Sequence, residues 1–361
     1  MLIEDFINNT PDWEQVLADE PYFVKTVWDG KYFLLKYSQL ESDFSNEIVC
    51  QCRGSIFKFV DGKCVCVCRP FRKFFNVQEA NAAHIDWATA KVQEKIDGTI
   101  IKIWCDNSIW HISTSSMIDA FKATIVDNLT FGQVFERAAG MDLAKFCKFL
   151  SPYYTHIFEL TSPESQVVIP YSDGIYWLAS KDTQTESERT VPIGLPWVVK
   201  RVKTYDLFNL DECLNYVSIM TKDEEGFVVV DNDLNRVKIK SPEWLSAHYL
   251  VHNNVISNKY LFKMFQEDKL DDVRAVVRKE WIEKLDTFEQ FIRDTIIVCR
   301  ESYWQVEDIE DDKEFAAAAK ETMMPDFCFA HRKCGTSPLD YIKRMTYSTF
   351  SKYFKHWSEY K

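Results

Sequence analysis

The segment Lys95-Ile96-Asp97-Gly98 places a lysine, an aspartate and a glycine directly ahead of a run of strand-forming apolar residues. A lysine on a tight turn beside a strand can be presented as a nucleophile. An amine that attacks phosphorus must lose its proton. The phosphate charge, the leaving group and the nucleoside must each be held. Four letters alone are a weak signal, so the rest of the chain has to supply the partners.

A pair of lysines closes the β-rich part of the chain in the run Arg236-Val237-Lys238-Ile239-Lys240. On a strand, Lys238 and Lys240 point to the same side. Two like charges on one face are unfavourable without an anion between them, and an α-phosphate would supply that anion. The alternative is a solvated strand edge, which lysine commonly protects.

Two glutamates occupy positions where a carboxylate has a chemical use. Glu225 precedes the buried strand pattern Gly226–Val230, where it could hold Mg²⁺ near a phosphate; an ordinary acidic turn is the alternative. Glu159 lies between Phe158 and Leu160, which predicts an inward-facing carboxylate that needs a partner. That partner could be a ribose hydroxyl or a salt bridge.

Cations and an aromatic residue precede the nucleophile in the chain. Arg53 and Lys73 supply groups that suit the outer phosphates of a nucleoside triphosphate. Phe75 could form a wall of the nucleotide pocket. Any one of these residues alone would be ordinary.

The elements that must position these residues change character near Ser241-Pro242. Before it, short β-branched and aromatic runs alternate with turn residues, which predicts antiparallel sheets flanked by helices, an α+β domain. The predicted strands are 55–60, 99–104, 109–113, 166–169, 174–179, 226–230 and 236–239. The predicted helices are 80–90, 117–129 and 130–150.

After Pro242 the apolar residues recur at helical spacing over 255–266, 268–298 and 313–322, which predicts an all-α C-terminal domain. We therefore expect a catalytic domain over residues 1–244 and a helical domain over 245–361. The last stretch interleaves cations with aromatic residues, which could contact RNA. The four-residue spacing of Phe350 and Phe354 favours packing instead.

The bulk properties exclude several classes of protein. The net charge of −12 argues against a general polyanion binder, so any nucleic-acid contact must use a local basic surface. We see no secretory signal and no apolar run of the ~20 residues that a membrane span needs, so we expect a cytoplasmic protein without membrane contact. The eleven cysteines are then reduced thiols, with Cys64, Cys66 and Cys68 on one face of a strand. Their spacing disfavours structural zinc.

In chain order, these motifs resemble the covalent nucleotidyltransferase superfamily of ligases and capping enzymes, over about residues 50–245. The segment 69–76 is especially similar to the phage-type tRNA-repair RNA ligases. One departure is that the segment 111–116 lacks a lysine that such ligases often carry there, and the nearby Lys102 lies on a different strand. The ordered set is Arg53-Gly54, Lys73-Phe74-Phe75-Asn76, Lys95-x-Asp97-Gly98, Phe158-Glu159, Glu225-Gly226 and Lys238-x-Lys240.

The resemblance implies an ATP-dependent RNA ligase that uses Mg²⁺ or Mn²⁺. Lys95 would form a lysyl-adenylate, AMP would pass to a 5′-phosphate RNA end, and a 3′-hydroxyl would then seal the strand. Gly98 would permit an unusual backbone angle in the turn. The implied roles are catalysis by Lys95, Lys238 and Lys240, metal binding by Glu225, ribose binding by Glu159, and further ATP contacts from Arg53, Lys73, Phe75, Glu94 and Glu225.

The expected partner is RNA with 3′-hydroxyl and 5′-phosphate ends, such as a nicked tRNA anticodon loop, and we expect a monomer. Three alternatives remain open. A capping guanylyltransferase or a DNA ligase shares the lysyl-nucleotide step, although such enzymes usually continue into a β-barrel rather than helices. A non-catalytic RNA-end-binding protein is the third, and the nearly complete set of lysines and glutamates argues against it.

Overall fold

The computed structural model of the 361-residue chain divides into two compact units, 1–248 and 249–361. The predicted boundary at 244/245 lies outside the described residues. No helix among the described residues combines the length and the apolar character that crossing a bilayer requires. The structure describes residues 2–126, 128–165, 169–189, 194–221, 223–242, 257–276 and 279–360.

The first unit begins with an antiparallel four-stranded sheet in the order β1-β2-β3-β4. Short helices cover one face, where Phe33, Phe57 and Leu17 form a buried cluster. The other face packs Leu34 and Ile56 against Trp104 of a second sheet. The elements are α1 (Leu2–Asn9), α2 (Trp13–Ala18), β1 (Val24–Asp29), β2 (Tyr32–Tyr37), α3 (Glu47–Gln51), β3 (Arg53–Val60) and β4 (Lys63–Cys68).

The second sheet has the order β13-β12-β11-β7-β8, with β14 pairing in parallel with β12. The helices on one face contribute Phe135 and Phe146 to a core with Phe158 and Trp177. The elements are β7 (Thr99–Asp106), β8 (Ile109–Thr114), the hairpin β9 (Thr124–Val126) and β10 (Leu129–Thr130), α4 (Phe131–Ala139), α5 (Leu143–Cys147), β11 (Tyr154–Thr161), β12 (Gly174–Asp182), β13 (Glu188–Arg189) and β14 (Val199–Arg201).

The third sheet has the order β15-β6-β16-β17-β5. One face packs Phe227, Val229 and Ile239 against Cys213 and Val217 of a helix. The elements are β5 (Phe75–Asn76), β6 (Lys91–Glu94), β15 (Thr204–Tyr205), α6 (Leu210–Val217), β16 (Gly226–Val230) and β17 (Arg236–Lys240).

The segment 95–98 joins the third sheet to the second. It follows directly after β6 and ends directly before β7. The nucleophile candidate Lys95 is therefore fixed where one sheet passes to the next, rather than on a free loop.

The second unit is helical throughout its described residues. Phe350 is 1% exposed and stacks on Phe262, with ring centroids 4.1 Å apart. Phe354 lies 4.9 Å from Phe291, which confirms the packing prediction for these aromatic residues. The helices are α7 (Asn258–Gln266), α8 (Leu270–Val276), α9 (Lys279–Trp304), α10 (Asp312–Glu321), α11 (Pro325–Cys334), α12 (Pro338–Arg344) and α13 (Tyr347–Tyr360).

The α+β class is confirmed, and six of the seven predicted strands lie within β3, β7, β8, β12, β16 and β17. Residues 166–168 of the seventh fall outside the described residues. The predicted helices 80–90 and 117–129 are wrong. Asp86 and Asp119 accept hydrogen bonds from the backbone N–H two residues on, at 3.1 and 2.9 Å, and such local bonds compete with a helix. The predicted helix 130–150 is split at Gly140, which ends α4 with a φ of 62°.

All eleven cysteines are free thiols, as expected. Cys64 and Cys66 belong to the core under the first helices, whereas Cys68 belongs to the core against the second sheet. The prediction of one shared face is therefore wrong for Cys68. A β-bulge between Ile56 and Phe57 shifts the register of β3 against β4 and sends Cys68 to the other side.

Candidate functional site

Three neighbouring strands bring the predicted nucleophile and its partners together. The backbone N–H of Lys95, directly after β6, donates to the Gly226 carbonyl at 2.9 Å. On the other side, Gly226 at the start of β16 lies opposite Lys240 of β17. Lys95 and Lys240 therefore flank the Glu225–Gly226 turn from both sides.

Glu225 bridges the two lysines. Its Oε1 lies 2.7 Å from Lys95 Nζ and 3.0 Å from Lys240 Nζ, and Lys95 Nζ also donates to Oε2 at 2.8 Å. The Glu225 side chain is 3% exposed and that of Lys95 is 21% exposed. Two cations around one buried carboxylate leave a net positive charge, which favours an anion beside them.

Gly226 explains why the carboxylate and a glycine occur together. Its φ is +133°, a backbone conformation that L side chains rarely adopt. A Cβ there would lie 2.1 Å from the Ile239 carbonyl oxygen, so any side chain would push β16 from β17. The contact between Glu225 and Lys240 depends on that close approach.

Glu159 reaches the site from β11 of the second sheet and is buried, as predicted. Burial raises the pKa of Glu159 to about 8, and the nearby carboxylates of Glu225 and Asp97 add to this, while Lys95 and Arg53 oppose it. At neutral pH Glu159 is thus largely protonated, and it can donate a hydrogen bond to a hydroxyl as well as accept one.

The other two residues of the Lys95–Gly98 motif hold the turn in place. The Asp97 carboxylate accepts a hydrogen bond from the Ile169 N–H at 3.1 Å. A Cβ on Gly98 would lie 2.5 Å from the Leu160 carbonyl oxygen and 3.0 Å from Glu159 Cγ. The prediction of an unusual backbone angle at Gly98 is wrong, because its φ is not among the positive values. Gly98 is required by space.

Arg53 and Lys102 approach the site from the first and second sheets. Arg53 lies close enough to Glu159 to oppose the rise of its pKa, and its guanidinium lies 5.0 Å from the centre of the Phe74 ring. Lys102 of β7 is fully buried and donates to the Gly54 carbonyl oxygen. Burial lowers the pKa of Lys102.

Lys102 lies at the position for which the segment 111–116 offers no lysine. A Cβ on Gly54 would lie 2.5 Å from the Ser115 carbonyl oxygen and 3.0 Å from Lys102 Nζ. The Lys102 ammonium therefore lies beside the contact between Gly54 and Ser115, although it comes from a different strand. Its cross-strand neighbour on β8 is Ser113.

The remaining predicted residues surround this centre on separate elements. Lys73 is buried, with its Nζ 4.3 Å from the Phe44 ring centre and 5.3 Å from that of Phe75. Phe75 lies on β5, which pairs with β17 at Val237. Glu94 ends β6, and its N–H donates to the Lys203 carbonyl at 2.8 Å. Lys238 is half-buried on β17.

Two tyrosines join the site that the sequence did not assign. Tyr176 lies opposite Glu159 on β12, whereas its neighbour Trp177 belongs to the core under the helices. The Tyr171 ring lies 6.4 Å from that of Tyr176. Burial raises the pKa of Tyr171, and the carboxylate of Glu94 adds to the rise. The alternation of β12 could have identified Tyr176; Tyr171 has no periodic signal.

A divalent metal has a partial ligand set here. No group of three or more metal-binding side chains occurs in the described parts of the chain. The buried Glu225 carboxylate offers oxygen ligands, and Mg²⁺ is commonly held by one or two carboxylates together with water and substrate phosphates. The donor set therefore fits Mg²⁺ or Mn²⁺ bound with a nucleotide.

Comparisons with known proteins agree with this geometry. A putative bifunctional polynucleotide kinase/RNA ligase of Autographa californica nuclear polyhedrosis virus is 32% identical over 245 residues, 62% of this chain. The chain spans 34% of the length of that relative. An RNA ligase of Rhodothermus phage RM378 is 26% identical over 307 residues, covering 67% of this chain and 69% of that protein.

A solved structure of an archaeal ATP-dependent RNA ligase is similar with a TM-score of 0.46 at 14% identity, covering 92% of this chain and 80% of that chain. The family model described as RNA ligase matches residues 51–270, which include each of the strands around Lys95, Glu159 and Glu225. The match extends over more than half of the sequence, and the chain therefore belongs to the RNA ligase family.

Proposed function

We propose that the protein is an ATP-dependent RNA ligase that joins a 3′-hydroxyl to a 5′-phosphate RNA end. The observation that carries the proposal is the bridge of Glu225 between Lys95 and Lys240, at 2.7 and 3.0 Å, in a member of this family. A lysine presented beside a buried carboxylate and a second cation suits attack on the phosphorus of a nucleotide.

In the first step the Lys95 amine attacks the α-phosphorus of ATP. A nitrogen–phosphorus bond forms, the bond to the β-phosphate oxygen breaks, and pyrophosphate leaves. Glu225 contacts the Lys95 ammonium and is placed to receive its proton. Lys240 and Lys238 stabilise the charge that develops on the α-phosphate.

The other residues bind and orient the nucleotide. Arg53 and Lys73 hold the outer phosphates, and the protonated Glu159 binds a ribose hydroxyl. Phe75 forms a wall of the nucleotide pocket, and Tyr176 lies on the same face as Glu159 and could stack on the base. Glu94 contributes to ATP binding next to the nucleophile.

Glu225 would hold Mg²⁺ or Mn²⁺ when ATP is bound. Such an ion neutralises phosphate charge. Once Lys95 carries AMP it is no longer an ammonium, so Glu225 loses one of its two cationic partners. The free carboxylate oxygens then favour another cation.

In the later steps AMP passes from Lys95 to the 5′-phosphate of an RNA end, and the 3′-hydroxyl attacks that activated phosphate and releases AMP. We further propose that the substrate is a nicked tRNA anticodon loop, that the enzyme acts as a monomer, and that it works in the cytoplasm. The similarity of segment 69–76 to tRNA-repair ligases supports the choice of substrate.

A ligation assay tests the substrate choice. The protein is incubated with ATP, Mg²⁺ and either a nicked tRNA stem-loop or a linear single strand of the same end sequences. We expect sealing of both and a preference for the stem-loop. Sealing of the linear strand alone would contradict the tRNA-repair role. Preferential labelling of the protein by GTP over ATP would contradict the ligase assignment.

A further inference from the structure

A cavity of about 620 Å³ lies in the first unit, beside the site described above. Lys95, Glu159 and Glu225 are not among its lining residues in the described part of the chain. Its size is in the range of small-ligand sites. The cationic and aromatic lining residues are Lys181, Arg236, Arg72, Phe44, Phe71 and Phe74.

Lys181 is the unusual member of this lining. It lies near the end of β12, is 6% exposed, and makes no side-chain hydrogen bond or ion pair with any residue that the structure describes. Burial lowers the pKa of Lys181 to about 8. An isolated buried ammonium is unfavourable, so a position of this kind indicates a missing anion.

Most of the other charges around the cavity are already compensated. Arg236 pairs with Glu188, which is almost fully buried. Arg72 pairs with Glu47 at 2.9 Å and with Glu186 at 3.0 Å. The acidic Asp233 is exposed, so water solvates its charge. Lys181 therefore carries the positive charge that lacks a direct counter-ion.

The aromatic lining adds a second feature. Phe44 and Phe74 are only half-buried, so part of each ring is accessible. Proteins that bind single-stranded nucleic acid combine cations for the phosphates with rings on which bases stack. A phosphate and a base together match a cavity that has both kinds of group.

The cavity also lies on a path from the reacting end. Tyr176 pairs with Glu159, and Lys181, five residues further along β12, pairs with Thr155. Five residues of a strand span roughly 16 Å. Lys181 thus lies too far from Lys95 to serve the reacting phosphate, and within reach of an interior nucleotide of the same RNA strand.

We propose that this cavity binds one interior nucleotide of the RNA substrate, with its phosphate on the Lys181 ammonium and its base against Phe44 and Phe74. The inference rests on the proposed function and names the part of the chain that grips the strand away from the end being joined. It places this part of the RNA grip in the first unit, between the second sheet and the start of β17.

The test measures binding of a 5′-phosphorylated single-stranded oligoribonucleotide to the full chain without ATP, by fluorescence anisotropy over a salt series. We expect Lys181→Met to bind roughly 10-fold more weakly, and the slope of log affinity against log salt to fall by about 0.7, the loss of one phosphate contact. Lys181→Arg should keep most of the affinity. Lys63→Met, which removes an exposed charge on β4, is the matched control and should change little.

Two companion measurements separate the alternatives. Labelling of Lys95 by α-labelled ATP should be unchanged in Lys181→Met, and its thermal stability should not fall, because an unpaired buried charge is removed. Unchanged RNA affinity and salt slope would overturn the inference. So would a loss of ATP labelling with intact RNA binding, which would assign the cavity to the phosphates of ATP or pyrophosphate.

A fall in stability that Glu188→Gln restores would also overturn the inference, since Lys181 would then only offset a buried carboxylate. Absence of labelling in the unmodified protein would instead contradict the proposed ligase function. It can be recognised separately, because RNA binding is measured without ATP.

Discussion

The Glu225 carboxylate contacts Lys95 through both of its oxygens, with Oε1 at 2.7 Å and Oε2 at 2.8 Å from Nζ. The same carboxylate holds Lys240 at 3.0 Å. One buried group on a turn therefore sets the positions of the nucleophile and of the cation expected beside the α-phosphate. The site exists in this form because β6, β16 and β17 are neighbours in one sheet.

Replacing the bridging carboxylate should damage stability and chemistry together. Glu225→Gln leaves two lysines without their counter-ion, so we expect the free energy of unfolding in urea to fall by about 3 kcal/mol. We also expect lysyl-AMP formation to slow by roughly 100-fold. Asp223→Asn, at an exposed position on the same turn, is the control and should change neither. A fully active Glu225→Gln protein would show that the bridge is not part of the mechanism.

Much of this centre could be read from the sequence because local patterns determine it. Alternation along residues 226–230 and 236–240 gave the two strands, and the glutamate and lysines at their ends follow from the same pattern. Their meeting depends on strand order, which no local pattern contains. It came from the ordered resemblance rather than from periodicity.

Other features depend on three-dimensional proximity and were missed for that reason. The role of Lys102 beside Gly54 requires β3 and β7 to lie side by side, and its sequence neighbours give no sign of this. Tyr171 approaches the site from an irregular segment. The failed helix 80–90 has a different cause, because its aspartate forms local hydrogen bonds that a hydrophobic pattern does not reveal.

Gly98 offers a test of the space requirement in the motif. Gly98→Ala would place a Cβ 2.5 Å from the Leu160 carbonyl oxygen, so β7 and β11 must separate. We expect a loss of about 2 kcal/mol in the free energy of unfolding and a severe loss of adenylylation. The measurements are urea unfolding and labelling with α-labelled ATP.

Gly140→Ala provides the contrast for that variant. Gly140 has a φ of +62° and open space around its Cβ position, so alanine there should cost about 1 kcal/mol through backbone strain alone. Adenylylation should persist, because Gly140 ends a helix away from the site. Equal activity of the two variants would mean that Gly98 has no special role.

Glu159 should make stability depend on pH. Its pKa rises from 4.5 to about 8 in the folded protein, so the folded state holds a proton that the unfolded state releases. The contribution of Glu159 to stability is therefore fully present below 4.5 and is lost as the pH rises towards about 8, by at most about 1.4 kcal/mol per pH unit. Glu159→Gln removes this dependence.

The measurement is the difference in unfolding free energy between the unmodified protein and Glu159→Gln, from about pH 5 to about pH 8. Taking the difference cancels the other titrating groups. We expect the unmodified protein to lose stability relative to the variant as the pH rises. A constant difference, or one of the opposite sign, would show that Glu159 is charged throughout.

Mapping the covalent adduct tests the central claim most directly. The protein is incubated with α-labelled ATP and Mg²⁺ or Mn²⁺, digested, and the labelled peptide is identified by mass spectrometry, with Lys95→Ala and Lys95→Arg alongside. The account predicts AMP on Lys95 in the unmodified protein and no label in either variant. Label that persists in Lys95→Ala on another lysine, or no label in the unmodified protein with either metal across the pH range, would contradict it.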